Sequence, residues 1–181
     1  MRFAETGLWA RRLLIPFHHD GEAVSWTGRD MTGRFAQKYL TNAMSGFAVM
    51  CTPDIIKPKP KIAVIVEGPM DALRIASGTR DAQIISIALC GKALGAEKLL
   101  QIRKACETCT DILVTMDADA SMSACYQTVA DIQSAVNVKR VGRAKLPPGI
   151  KDPGELPASG VLQWVSEAYL NQSSRSGVAL S

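Results

Sequence analysis

Apolar residues fall along this chain in two rhythms. From residue 62 onward, short continuous apolar runs alternate with longer stretches in which apolar positions recur every three or four residues. The run 62–66 (IAVIV) ends at Glu67-Gly68, and 83–89 (QIISIAL) ends near Gly91. The run 112–116 (ILVTM) ends at Asp117, and 138–142 (VKRVG) forms a fourth. Runs of this length without alternation predict strands buried on both faces. Between them the spacing predicts helices over 69–77, with Pro69 in the first turn, over 96–107, with Leu99, Leu100 and Ile102 toward the core, and over 122–135. A last helix is expected over 159–170, with a polar, frayed tail over 171–181.

Upstream the rhythm differs. Residues 12–17 (RLLIPF) and 23–29 (AVSWTGR) read as two strands joined by a turn over 18–22, with Asp20-Gly21 as the turn signal and His18-His19 leading into it. A polar loop follows, then Lys38-Tyr39-Leu40-Thr41-Asn42. The segment Lys57-Pro58-Lys59-Pro60-Lys61 reads as a stiff charged connector, because proline cannot donate to a sheet. The whole pattern predicts an α/β fold: a largely parallel four-stranded sheet flanked by helices, preceded by a small β-hairpin subdomain. The expected boundaries are 1–60, 61–158 and 159–181.

Composition narrows the class. With 47% hydrophobic residues among 181, the chain can bury a real core. No apolar run approaches the roughly 18 residues that a bilayer span requires, and arginines interrupt the N-terminus before any signal-peptide pattern develops, so a cytoplasmic location and no membrane partner are expected. Five cysteines without framework spacing fit a reducing compartment. Cys106 and Cys109 alone have knuckle spacing, with no second pair to complete a zinc ribbon. Cys90 and Cys125 read as core thiols, and Trp9 and Trp26 as packing residues of the N-terminal unit, with base stacking as the alternative. The net charge of +4 is uneven: residues 1–61 hold nine Lys/Arg against five Asp/Glu, and the remainder holds twelve of each. A basic face beside an acidic pocket suits a polyanionic substrate and metal ions.

Two acidic clusters stand at predicted strand ends: Glu67-Gly68-Pro69-Met70-Asp71 and Asp117-Ala118-Asp119. Sites in parallel sheets lie at such C-terminal ends. If the two strands are neighbours, Glu67, Asp117 and Asp119 converge and Asp71 lies one turn into the next helix. Two carboxylates about 4 Å apart repel by roughly 4 kcal/mol at an effective dielectric of 20. Such a group calls for a cation, a shared proton or a basic partner, and all-oxygen ligands favour Mg²⁺ or Mn²⁺. Each acid taken singly reads as a helix cap before it reads as a ligand.

A strand ending in Glu-Gly, an Asp four residues after that Glu, and a later strand ending in Asp-x-Asp resemble the TOPRIM signature over about residues 60–155. That Rossmann-like family includes bacterial primases, topoisomerases, small ribonucleases and recombination proteins. The resemblance implies that Asp117, Asp119 and Asp71 hold the metal and that Glu67 acts as acid/base or a further contact, making Glu67, Asp117 and Asp119 the catalytic group. Arg12 with the following Leu-Leu-Ile-Pro-Phe, then Gly28-Arg29, then Lys38-Tyr39-Leu40-Thr41-Asn42 is similar to the lead-in of bacterial-type DNA primases. It implies that Arg12, Arg29 and Lys38 contact nucleotide phosphates or template. The segment from Leu146 to Pro153 resembles the primase run ending G-x-D-P-D, which makes Asp152 an outer metal ligand, although Gly154 replaces its second Asp. Ala118 also departs from the usual middle Gly, and Ala120-Ser121-Met122 from the usual basic residue and Gly. The resemblance thus implies a Mg²⁺- or Mn²⁺-dependent primase, a nucleotidyltransferase of DNA replication, in a reduced form such as a phage or mobile element carries. It would act on single-stranded DNA template and NTPs, with a replicative helicase as further partner. A TOPRIM nuclease and a non-catalytic nucleic-acid-binding module of a replication assembly are the alternatives.

Overall fold

The computed structural model describes residues 2–19, 22–42, 50–51, 59–80, 82–91 and 94–176. Its first layer is an antiparallel sheet of β1 (Arg2–Ala4), β2 (Arg12–His19), β3 (Glu22–Asp30) and β4 (Tyr39–Thr41), in that order. His18 and His19 continue β2 rather than forming a turn, because a register shift between Phe17 and His18 lets the strand run on to pair His19 with Glu22. The expected Asp20-Gly21 turn lies outside the described residues. Side chains alternate across this sheet. Ile15 and Phe17 point inward and are buried, whereas Trp26 on the other face is 39% exposed and meets Trp9 edge-on at 6.0 Å.

The second layer is a five-stranded sheet in the order β5 (Met50–Cys51), β7 (Ile84–Ala88), β6 (Ile62–Val66), β8 (Asp111–Val114), β9 (Arg140–Arg143). Four strands are parallel, as expected, and β5 adds a short antiparallel edge. Helices α1 (Pro69–Gly78), α2 (Ala96–Ala105), α3 (Met122–Ala135) and α4 (Ala158–Ser176) cover it. Alternate residues of β6 feed two cores. Val64 and Val66 pack with Ile75 of α1 and Val161 and Val165 of α4, while Ala63 and Ile65 pack with Ile102 of α2 and Ile132 of α3. Ile15 and Phe17 of the first sheet join the former core, so the two sheets share apolar interior.

Two expectations about the helices need correction. Helix α4 continues to Ser176, six residues past its expected end. Leu100 is exposed, not in the core, because α2 turns the line Lys98–Ile102 toward the sheet. Cys90, expected as a core thiol, packs against the core at its edge, half-buried, and also lines the cleft described below. The charged connector falls partly outside the described residues. No described helix is long and apolar enough to cross a membrane.

Candidate active site

Parallel pairing of β6 with β8 brings their C-terminal ends side by side. Past β6 the chain turns at Gly68, with Pro69 at the first position of α1, where a missing N–H costs nothing. Past β8 the pairing continues for one residue, the Thr115 amide donating to the Ile65 carbonyl at 2.9 Å. The next link joins the two acidic clusters directly, because the Asp117 amide donates to Glu67 Oε1 at 3.0 Å. The Ala118 amide donates to the Lys151 carbonyl at 2.7 Å, which draws the segment carrying Asp152 to the same sheet end.

Asp152 caps a 3-10 turn (Pro153–Glu155) by accepting from the Glu155 amide at 3.1 Å. That turn is clamped onto α1 from both sides of one residue. The Gly154 amide donates to Asp71 Oδ1 at 3.0 Å, and Arg74 Nε donates to the Gly154 carbonyl at 3.1 Å. A Cβ at position 154 would lie 2.9 Å from Asp71 Oδ1 and 3.0 Å from Asp152 Oδ1. Gly154 is therefore wedged between the two carboxylates, where a side chain would displace them.

The acids face an open cleft of ≈ 1380 Å³, whose other wall carries Arg29 and Tyr39 of the antiparallel sheet and Lys38 of the loop just before β4. Glu67, Asp71, Asp117, Asp119 and Asp152 all line it. Asp117 Oδ1 is buried without a hydrogen-bond partner. Burial, and then the charges of Glu67, Asp71, Asp152 and Asp119, push the Asp117 carboxyl up to about 6. Burial and the Asp152 charge also raise Asp71, against the Gly154 and Gly68 amides and the Arg29 guanidinium, which favour its ionised form. Arg29 Nη1 donates to Tyr39 Oη at 2.6 Å, and its guanidinium lies 5.4 Å from that ring. Asp119 and Lys38 are exposed at the rim.

Arg12 occupies a different place from the one expected. It lies on the opposite face of its sheet from Ile15 and Phe17, is 4% exposed, and does not line the cleft. Its guanidinium donates to the carbonyls of Gly28 (3.2 Å), Gln37 (3.1 Å) and Lys38 (3.4 Å) and stacks 4.6 Å from the Phe35 ring. These contacts fasten the loop between β3 and β4. Arg74 and Tyr39 were not singled out from sequence. Arg74 could have been, since it stands one turn after Asp71 on the same helix face.

Among the described residues no three His, Cys, Asp or Glu side chains are gathered closely enough to enclose a cation. The donor chemistry nevertheless fits a hard divalent ion. The groups are all oxygen, they crowd one another electrostatically, and Asp117 Oδ1 is a buried acceptor with nothing to accept. The ligand set fits in kind but is not closed in advance.

Parallel strands, flanking helices and an antiparallel lead-in sheet define an α/β fold shared with primases of the bacterial and phage type. The chain superposes on the zinc-binding and RNA polymerase domains of the Aquifex aeolicus primase with a TM-score of 0.65, at 23% identity, over 90% of this chain and 41% of that one. The RNA polymerase domain of Mycobacterium tuberculosis primase DnaG, solved in complex with double-stranded DNA, gives 0.62 at 23% identity, over 87% and 53%. The primase fragment of the bacteriophage T7 primase-helicase protein gives 0.59 at 19% identity, over 86% and 62%. The chain spans less than two thirds of each. No family model matches it, and no curated protein sequence does so significantly.

Proposed function

We propose that this chain is the TOPRIM-type catalytic domain of a DNA primase, joining NTPs into short RNA primers on a single-stranded DNA template. The observation that carries this reading is the buried, unpartnered Asp117 Oδ1 among four other carboxylates, across a cleft from Arg29 and Lys38. Acids on one wall and bases on the other suit a reaction between two polyanions, and the primase fold supports that choice. Asp117, Asp119 and Asp71 would hold Mg²⁺ or Mn²⁺, with Asp152 as an outer ligand. When bound, the ion supplies charge stabilisation for the attacking and leaving oxygens of an in-line displacement.

The chain's own residues do the rest. Glu67 commits Oε1 to the Asp117 amide, which fixes the strand end, and takes the 3′-hydroxyl proton at its other oxygen. Arg29, oriented by Tyr39, meets phosphate oxygens with its planar fork, and Lys38 adds a point charge at the rim. The hydroxyl oxygen attacks the α-phosphorus and pyrophosphate leaves. Template lies along the basic sheet, and a replicative helicase is the partner such a primase would serve.

The test is primer synthesis from labelled NTPs on single-stranded template with Mg²⁺ or Mn²⁺, wild type against Asp117→Ala. Short RNA products that vanish in the variant support the proposal. Shortened template without new RNA would identify a nuclease. Template binding with neither product would identify a non-catalytic module.

A further inference from the structure

Lys98 breaks the rule that lysine stays at the surface. It sits on the sheet-facing side of α2 with 2% exposure, in line with buried Ile102. Its Nζ donates to the Leu89 carbonyl at 2.7 Å, at the point where β7 gives way to the cleft wall. Beyond that carbonyl the backbone takes two left-handed steps, Cys90 at φ 52 and Gly91 at φ 134. The first is unfavourable for any residue with a Cβ. A Cβ on Gly91 would stand 3.6 Å from the ammonium, so the charge lies directly behind this corner.

The corner is tied to the acidic site through the backbone. The Cys90 amide donates to the Glu67 carbonyl at 3.0 Å, and the Leu89 amide to the Val66 carbonyl at 2.9 Å. Glu67 in turn accepts from the Asp117 amide. A chain of three hydrogen bonds therefore runs from Lys98 through the 89–91 corner and Glu67 to Asp117. A methionine in this slot would pack without the cost of desolvating an ammonium. What the lysine adds is a charged donor, and its recipient is a carbonyl that sets a strained turn.

We infer that Lys98 is a positioning residue for the cleft: its buried ammonium pins the 89–91 corner and thereby holds Glu67 against Asp117. It reaches no substrate itself. Its effect on primer synthesis rests on the function proposed above, but its effect on the corner does not.

Hydrogen exchange on the full chain, metal-free, tests this directly with Lys98→Met. A bond from a charged donor to a buried carbonyl is worth enough that protection at the Cys90 and Asp117 amides should fall about tenfold or more. The Thr115 and Ala144 amides, bonded to Ile65 and Val114 carbonyls, should keep theirs. Equal protection at Cys90 and Asp117 in both proteins, or a uniform loss that includes Thr115 and Ala144, would overturn the inference. Lys98→Gln, too short to reach the same carbonyl, carries the same comparison if the methionine variant does not fold. In the primer assay kcat should fall with the KM for NTP nearly unchanged. A wild type that makes no primer would defeat the proposed function and leave the exchange result standing.

Discussion

The two ends of β8 treat the same residue type in opposite ways. Asp111 opens the strand and Asp117 follows its far end. Asp111 is 1% exposed, yet both of its oxygens are engaged: Arg140 Nε pairs with Oδ1, and Thr110 Oγ1 donates to Oδ2 at 2.6 Å. Arg140 is itself held over the Tyr169 ring at 4.9 Å. Asp117 has a buried oxygen with no partner and four acids for company. A fold can satisfy a buried carboxylate, as the first end shows. The second end leaves a buried acceptor beside the cleft, which fits the ligand-binding role proposed above for Asp117.

The largest effect should come from removing the unsatisfied acid. Asp117→Asn keeps the shape and amide of the site but abolishes the charge. If the proposed activity holds, kcat for primer synthesis should fall by about 10³-fold or more, as when a single transition-state stabiliser is lost. The folded state should not suffer, since one of several repelling charges is gone. A denaturation midpoint below wild type would mean that Asp117 is structural after all. Arg140→Met should do the reverse. Stranding Asp111 without its cation should cost about 3 kcal/mol in urea unfolding, with kcat per folded molecule unchanged. Lost activity at full stability would erase the contrast between the two ends.

The contrast also has a pH signature. The ordinary carboxyl value for Asp117 is 3.8, and the fold raises it to about 6 through burial and neighbouring charge. Between those values the folded protein keeps a proton that the unfolded chain has released. Stability of the metal-free protein therefore falls as pH rises through this window and levels off above it. Asp71, raised by burial and Asp152, contributes with the same sign. Melting temperatures from about pH 4 to about pH 7 should decline for wild type and run flatter for Asp117→Asn. Mg²⁺ should lift the wild-type curve most at the upper end, where the carboxylates are free to bind it. Parallel curves for the two proteins would assign the dependence elsewhere.

How far these features could be read in sequence depends on what each residue had to satisfy. The parallel strands were legible because burial on both faces leaves continuous apolar runs, and Glu67 and Asp117 were legible as acids ending two of them. Strands β1, β4 and β5 are two or three residues long at sheet edges, too short for any periodicity. The face of α2 was misjudged because hydrophobicity favoured Leu100, whereas the helix buries Lys98, whose carbonyl partner lies on another element. Arg12 matched a phosphate-binding pattern, but three backbone carbonyls and the Phe35 ring claim its guanidinium. Those partners arise only from the folded loop, and no linear motif records them.

Gly154 gives the mildest and most discriminating test of the acidic end. Its amide and carbonyl are held by Asp71 and Arg74, and its missing side chain leaves room for the carboxylates of Asp71 and Asp152. Gly154→Ala adds one methyl, less than 3.0 Å from Asp71 Oδ1 if nothing moves. The acid must therefore swing away or lose its bond to the 154 amide. Neither change breaks a hydrogen bond of Asp117 or reaches the Asp111 end of β8, so overall stability should drop by only about 1 kcal/mol, the scale of a single hydrogen bond. Mn²⁺ affinity, followed by paramagnetic titration, should weaken several-fold if Asp71 is a ligand, while the Asp111–Arg140 pair stays as it was. Unchanged affinity with the same loss of stability would take Asp71 out of the ligand set and leave Asp117 and Asp119 as the acids that hold the ion.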